Sequence, residues 1–273
     1  MYINCKGKLI DLSTPKVMGI INLTPDSFYD GGKYKDIEEV ISQVGTMLDE
    51  GATFIDMGAY SSRPDATDIS IQEEESRLIP IIIEVVKQFP EVLISVDTFR
   101  SSVAKKAIQA GACMVNDISG GMLDQDMMKV VGELQVPYIA MHMRGTPQTM
   151  RNLTSYENLL KEISFYFSER LALARTHQIH DLIIDPGFGF AKTITQNFTL
   201  LKELDFFKIL EVPLLAGLSR KSMIYNTIKG TPSSSLNGTT ALNMIALQNG
   251  AAILRVHDVK EAVECVQLHN TLL

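Results

Sequence analysis

Apolar and polar positions along the chain fall into two alternating patterns. Short apolar runs occur at 17–21 (VMGII), 53–57 (TFIDM), 93–96, 113–116, 136–141, 182–185, 213–218 and 252–256. Each is bounded by Gly, Pro, Asp or Asn, and most are rich in Val, Ile or Leu. That is the pattern of parallel strands covered on both faces. Between the runs lie stretches with helical spacing, at 36–50, 71–88, 101–110, 124–133, 156–177, 197–208, 235–249 and 259–269. Ser70 with Glu73 three places on has the spacing of a capping box and predicts a helix start. Strand–helix alternation repeated eight times predicts a single (β/α)8 TIM barrel, an α/β fold, rather than an open sheet. No Gly/Ser-rich linker or low-complexity segment divides residues 1–273, so one domain is expected. The longest connections follow the first, second, fifth and seventh runs. They put long loops at the C-terminal face of the strands, where barrel enzymes keep their chemistry.

Composition narrows the function classes. The 273 residues are 45% hydrophobic and carry a formal net charge of -7. No global basic field exists for nucleic acid, so any anionic ligand needs a local cluster of cations. Cys5, Cys113 and Cys265 are far apart and form no C-x-x-C pair, which reads as plain thiols in a reducing cytoplasm. The N-terminal MYINCKGKLIDLS lacks the apolar run of a signal peptide. Nor does any apolar stretch of ~18 residues occur, so a membrane partner is not expected.

Candidate chemistry sits where the apolar runs end. Asn22, Asp56, Asp97, Asn116 with Asp117, Met141 with His142, Asp185, Lys221, and Arg255 with His257 occupy those positions. Singly, such residues cap helices or start turns. In a barrel the strand ends converge on one mouth, and burying several unpaired charges there costs several kcal/mol each. The joint pattern predicts a polar ligand. No G-x-G-x-x-G follows a strand, GLSRKS (217–222) lacks phosphate-loop spacing, and neither H-E-x-x-H nor G-x-S-x-G is present.

Eight segments in order carry a family resemblance: GIINLTPDSFYDGG (19–32), MGAYSSRPDA (57–66), ISVDTFRSSVA (94–104), VNDISGG (115–121), AMHMRGTPQTM (140–150), DPGFGFAKT (185–193), GLSRKSMI (217–224) and RVHDV (255–259). Together they resemble the motifs of dihydropteroate synthases over about residues 15–265. The resemblance implies a (β/α)8 barrel that condenses 6-hydroxymethyl-7,8-dihydropterin pyrophosphate with 4-aminobenzoate, releasing pyrophosphate. It further implies Mg²⁺ and a homodimer. On the matching positions it implies that Asp97, Asn116, Asp185 and Lys221 contact the pterin, with Met141 beside them in the substrate site. Asn22 would ligate Mg²⁺, and Ser62, Arg63, Arg255 and His257 would hold the pyrophosphate. Phe28, Arg63, Pro64, Phe190, Lys221 and Ser222 would surround the aminobenzoate. Asp97, Asp185, Lys221 and Arg63 are the expected catalytic set. Two departures stand out. Ala59-Tyr60-Ser61-Ser62-Arg63-Pro64-Asp65 replaces the usual Gly-Glu-Ser-Thr-Arg-Pro-Gly, and Tyr29 replaces a small residue. They bear on aminobenzoate affinity, not on the reaction class.

Elementary chemistry agrees with those roles. Adjacent N–H and NH₂ donors on a pterin edge suit a bidentate carboxylate such as Asp185; its structural alternative is to cap the Pro186-Gly187 turn. Asn116 both donates and accepts. Arg63, Arg255 and His257 offer donors to pyrophosphate. Asn22 offers one hard oxygen, and Mg²⁺ characteristically takes few protein ligands beside phosphate and water. Lys221 at a strand end also admits a Schiff-base reading, which the neighbouring Ser219, Arg220 and Ser222 disfavour. Segments 22–35 and 58–70 are expected to be ordered by ligand, with the aminobenzoate pocket forming last. Two rival readings remain. One is a pterin-dependent methyltransferase barrel, which would not need the TPDSF and SRK segments. The other is a non-catalytic pterin-binding paralogue, against which Asn22, Arg63, Lys221 and Arg255 together argue.

Overall fold

A computed structural model describes residues 1–23, 33–62 and 68–272, with the backbone alone for 33–36. The chain opens with a hairpin, β1 (Tyr2–Cys5) and β2 (Lys8–Asp11), paired antiparallel. Its two-residue turn puts Lys6 at φ 53° and Gly7 at φ 78°, the left-handed pair that matches strand twist. The sequence reading did not foresee this hairpin.

Eight parallel strands follow: β3 (Lys16–Asn22), β4 (Phe54–Gly58), β5 (Ile94–Asp97), β6 (Met114–Asp117), β7 (Tyr138–Met141), β8 (Leu182–Asp185), β9 (Leu214–Ala216) and β10 (Ala251–Val256). They close into a barrel in the order β10-β3-β4-β5-β6-β7-β8-β9. Each corresponds to one apolar run of the sequence. The helices are α1 (Lys33–Asp49), α2 (Ile71–Gln88), α3 (Ser101–Gln109), α4 (Met127–Leu134), α5 (Leu159–Thr176), α6 (Ile194–Lys202), α7 (Ser222–Thr227), α8 (Leu236–Gln248) and α9 (Val259–Leu272).

Strand periodicity of two decides what faces where. Outward residues such as Ile21, Met57, Val96, Val115, Ala140 and Ile184 pack in one cluster with helix residues including Leu78, Val103, Val131 and Phe167. Inward residues Met18, Phe54, Met114, Ile139, Ile183, Leu215 and Ile253 form a second cluster with Ile3, Cys5, Ile10 and Leu12 of the hairpin. The hairpin therefore plugs the barrel end where the strands begin. That leaves the other end, where they finish, as the polar one.

The helix starts show how local sequence sets the boundaries. Ser70 Oγ accepts from the Glu73 amide at 3.1 Å, while the Glu73 carboxylate turns to Arg77, so only half of the expected capping box forms. Thr193 and Gln196 make a complete one and start α6 three residues before the helical spacing suggests. The predicted helix over 197–208 ends at Lys202, and a 3-10 stretch, Leu204–Leu210, replaces its second half. Six-residue α7 is too short to show a helical period and was not expected.

Candidate active site

The last inward position of each strand lines the open mouth. Arg255, on β10, spans it: Nε lies 2.5 Å from Asp56 Oδ2 on β4, and Nη2 lies 2.7 Å from Asp97 Oδ2 on β5. Asn116, on β6, donates from Nδ2 to the same Asp56 Oδ2 at 2.9 Å. Asp56 is fully buried, and among the described residues its Oδ1 has no hydrogen-bond partner. Nor, among them, has the Oγ of its register neighbour Ser95, also buried. Orphaned polar atoms beside an open mouth mark a place for a ligand or water to complete the hydrogen bonding. Sequence reasoning placed Asp56 at a strand end and gave it no role. The structure makes it the hub of the network. Burial pushes the Asp97 carboxyl up to about 7, with Arg255 pulling it back down and Asp56 adding to the rise.

Asp185, on β8, uses one oxygen locally. Its Oδ1 accepts from the Gly187 amide at 2.8 Å, which is the turn-capping bond read as the alternative role. Oδ2 is left for the mouth: a Cβ built on Gly217 would stand 3.9 Å from it, 4.0 Å from Lys221 Nζ and 4.0 Å from Arg255 Cβ. These three side chains thus frame one space floored by a glycine. Burial raises the Asp185 pKa, opposed by Lys221, the Gly187 amide and Arg255.

Lys221 precedes the first turn of α7. Its ammonium donates to the Phe188 carbonyl and lies 4.9 Å from the centre of the Phe190 ring. Burial lowers its pKa to about 8, and Asp185 holds it from falling further. The adjoining wall is apolar: Met141 clusters with Ile118, Met143, Met150 and Ala191, and Phe190 and Phe99 pack against them. An apolar face for a flat heterocycle, the carboxylates of Asp97 and Asp185, the Asn116 amide and the cations Lys221 and Arg255 therefore meet at the mouth.

The remaining expected residues divide. His257 contacts Ser219 Oγ through Nδ1 at 3.0 Å, and its pKa is lowered to about 4 by burial and then by Arg255 and Arg220. At neutral pH it offers an anion an N–H, not a charge. Ser222 is exposed at the start of α7, Ser62 is half-buried beyond β4, and Asn22 is exposed at the end of β3. Phe28, Arg63 and Pro64, with Tyr29 and Asp65, lie outside the described residues. Tyr60, the other departure, stands edge-on to Phe99 with ring centres 4.8 Å apart and accepts from Gln148 at 3.2 Å. Asp117 faces away from the mouth and takes bonds from Ser119, Gly121 and Tyr138. His142, a strand-end candidate to which sequence reading gave no specific role, meets Lys192, which that reading did not single out, and both are buried beside the loop 186–191.

As to metal, Asn22 offers one oxygen beside the mouth, and among the described residues no group of three His, Cys, Asp or Glu is placed to hold an ion. That donor set fits a cation that arrives with its phosphate ligands and takes one or two protein oxygens. It does not fit an all-protein cage.

Comparison with known proteins gives a consistent result. The family described as pterin binding enzyme matches residues 18–257. A dihydropteroate synthase of Escherichia coli strain K12 is 40% identical over 275 residues, covering 100% of this chain and 97% of the relative. A solved structure of Xanthomonas albilineans dihydropteroate synthase with 4-aminobenzoic acid superposes with a TM-score of 0.92 at 37% identity, over 99% of this chain and 97% of the other. The same enzyme in complex with 7,8-dihydropteroate gives 0.89 at 35% identity, over 100% and 98%.

Proposed function

Because the chain belongs to the pterin-binding enzyme family, and its full-length relatives are dihydropteroate synthases, we propose that its barrel mouth joins 6-hydroxymethyl-7,8-dihydropterin pyrophosphate to 4-aminobenzoate. The products are 7,8-dihydropteroate and pyrophosphate. The observation that carries this reading is the convergence of Asp185 Oδ2, Lys221 Nζ and Arg255 above Gly217, with Asn116 and Asp97 alongside.

The site residues divide by chemistry. Asp185 Oδ2 accepts from the pterin's adjacent N–H and NH₂ donors, a charge-assisted contact. Asn116 reads the mixed edge, and Met141 covers a ring face. The bond that breaks joins the pterin methylene to a pyrophosphate oxygen, and positive charge then spreads into the pterin ring. Asp97 and Asp185 stabilise that charge, a preorganised electrostatic contribution. An aryl amine is a weak nucleophile, so prior ionisation and correct placement supply most of the rate. Phe190 and Lys221, close together in the structure, form the aminobenzoate side with Phe28, Pro64 and Ser222. Ser62, Arg63 and His257 serve the departing pyrophosphate. Arg255 balances Asp56 and Asp97 while turning its remaining surface to the ligand.

Mg²⁺, when bound, would neutralise pyrophosphate charge, and Asn22 is the residue of this chain to hold it. A homodimer is supported by exposed apolar side chains: Phe206 and Ile209 in the 3-10 stretch, Ile228 after α7 and Ile245 on α8. A reducing, cytoplasmic setting is supported by three free, buried cysteines.

Pyrophosphate release in the presence of both substrates tests the reading. Release that depends on 4-aminobenzoate and yields a pteroate separates this activity from a methyltransferase barrel and from a non-catalytic pterin binder. Pterin binding without turnover would overturn it.

A further inference from the structure

Lys192 is a buried lysine that the proposed reaction does not use. It follows the glycine-bearing loop 186–191 and immediately precedes the capping residue of α6. Only 8% of its surface is exposed. Nζ lies 3.0 Å from the Gly187 carbonyl, 3.0 Å from the Phe190 carbonyl and 3.0 Å from His142 Nδ1. Three acceptors surround a group with three N–H bonds, so the head is saturated. It has nothing left with which to touch a substrate.

What Lys192 holds is the loop that carries Phe190 and caps Asp185. Gly187 caps Asp185 through its amide while its carbonyl is held by Lys192. Phe190, whose ring faces Lys221, has its own carbonyl held by the same ammonium. Lys221 takes the Phe188 carbonyl between them. The loop is thus gripped at three of its carbonyls, two by Lys192 and one from the mouth by Lys221. Gly187 could not be replaced, because a Cβ there would meet the His142 carbonyl at 2.1 Å and φ is +72°. His142 is fixed in turn: its amide donates to the Asp185 carbonyl at 2.9 Å, and its ring stands edge-on to Tyr166 at 5.0 Å.

We infer that Lys192 is a positioning residue, which sets the Asp185 carboxylate and the Phe190 ring through the carbonyls of Gly187 and Phe190, with His142 as its fixed support. The two carbonyl bonds persist whether the amine is charged or neutral, since either form has at least two N–H donors. Burying a lysine is costly, and burial lowers its pKa well below the usual range. A short loop needing only to be stable would be served by an apolar side chain. A loop needing one fixed arrangement of its carbonyls gains from a donor saturated by them.

The inference rests on Asp185 reading the pterin, and the test separates the two claims. Affinity for 6-hydroxymethyl-7,8-dihydropterin pyrophosphate, which lacks the aminobenzoate half that Phe190 serves, is measured calorimetrically in Lys192→Met, Lys192→Gln, Asp185→Asn and the Lys192→Met/Asp185→Asn pair. Lys192→Met should weaken binding about tenfold, the size of one lost hydrogen bond to a charged group. Lys192→Gln, which keeps N–H donors without charge, should recover most of that loss. In the Asp185→Asn background Lys192→Met should add less than about twofold, since both changes act through one contact. Losses that multiply in the double variant, or a Lys192→Met protein with a lowered unfolding midpoint and unchanged affinity, would make Lys192 merely structural. If Lys192→Met does not fold, Lys192→Gln alone still tests the route: affinity within about threefold of the parent supports positioning through the two carbonyls, and a loss of about tenfold or more would overturn it. Unchanged affinity in Asp185→Asn alone would overturn the substrate reading and, with it, the route through Asp185.

Discussion

Arg255 Nε meets Asp56 Oδ2 at 2.5 Å across 199 sequence positions and ties β10 to β4 over the intervening β3. Asp56 is fully buried and the Arg255 side chain is 19% exposed. The same guanidinium reaches Asp97, so one cation balances two carboxylates.

Replacing Arg255 by Met should therefore destabilise the fold as well as the site. Removing one partner of a buried ion pair costs roughly 3–5 kcal/mol, and partial exposure of the guanidinium puts the expected loss near the lower end. Urea unfolding of the variant measures it. The loss should shrink as pH falls, because protonation removes the unpaired charge. A loss below about 1 kcal/mol, the value of an exposed pair, would show that water already screens the mouth.

Asp185→Asn should separate binding from folding. The amide oxygen can still accept from Gly187, so the turn survives, while the charged acceptor facing Gly217 is lost. Pterin pyrophosphate affinity should fall by roughly 2–5 kcal/mol, the cost of losing a desolvated charged contact. Titration calorimetry reads this directly, and unchanged affinity removes Asp185 from the site.

Gly217→Ala should act on the ligand and leave the protein intact. The nearest atoms to the added methyl are at 3.9 Å and 4.0 Å, ordinary contact distances. Stability should stay within about 0.5 kcal/mol of the parent. The methyl would fill the space between Asp185, Lys221 and Arg255, and pterin affinity should drop on the order of tenfold, since overpacking a fitted site costs about 1–3 kcal/mol. A variant that binds normally would place the pterin elsewhere.

Lys221 gives the pH dependence a sign. Its pKa in the folded protein is about 8 against 10.5 in an exposed lysine. The kcat/KM for the pterin pyrophosphate, which reports the free enzyme, should fall as pH rises through about 8 and the charge is lost. For stability the sign reverses. Between about 8 and 10.5 the unfolded chain binds more protons, so this group's contribution rises with pH there. Below 8 its buried charge is a cost to folding. Lys221→Met should thus be more stable than the parent at pH 7, with little activity and no basic limb at 8. A limb that survives in the variant would belong to another group.

Much of this was legible along the chain. The eight apolar runs gave the barrel because a strand buried on both faces has no polar position to interrupt it until it reaches the mouth. Asp97, Asn116, Asp185 and Arg255 could be picked out because they stand where those runs stop. The hairpin at Tyr2–Asp11 was not legible, since four-residue strands with mixed exposure carry no usable period. Asn116 and Asp117 both end a strand, yet only Asn116 faces the mouth. Alternation along the strand forbids both, and Asp117 instead anchors the following loop.

By itself, then, the sequence determined the fold class, the face on which chemistry occurs and the residue types available there, because these depend on periodicity and on where polarity returns. Only the tertiary structure decided the partnerships. Asp56 became a hub because closure brings β10 within reach of β4 and β5. Lys192 acquired its place behind Asp185 because His142, 50 positions earlier, is carried to it on the neighbouring strand. Contacts of that kind depend on the register and closure of the barrel, which link residues with no periodic relation along the chain.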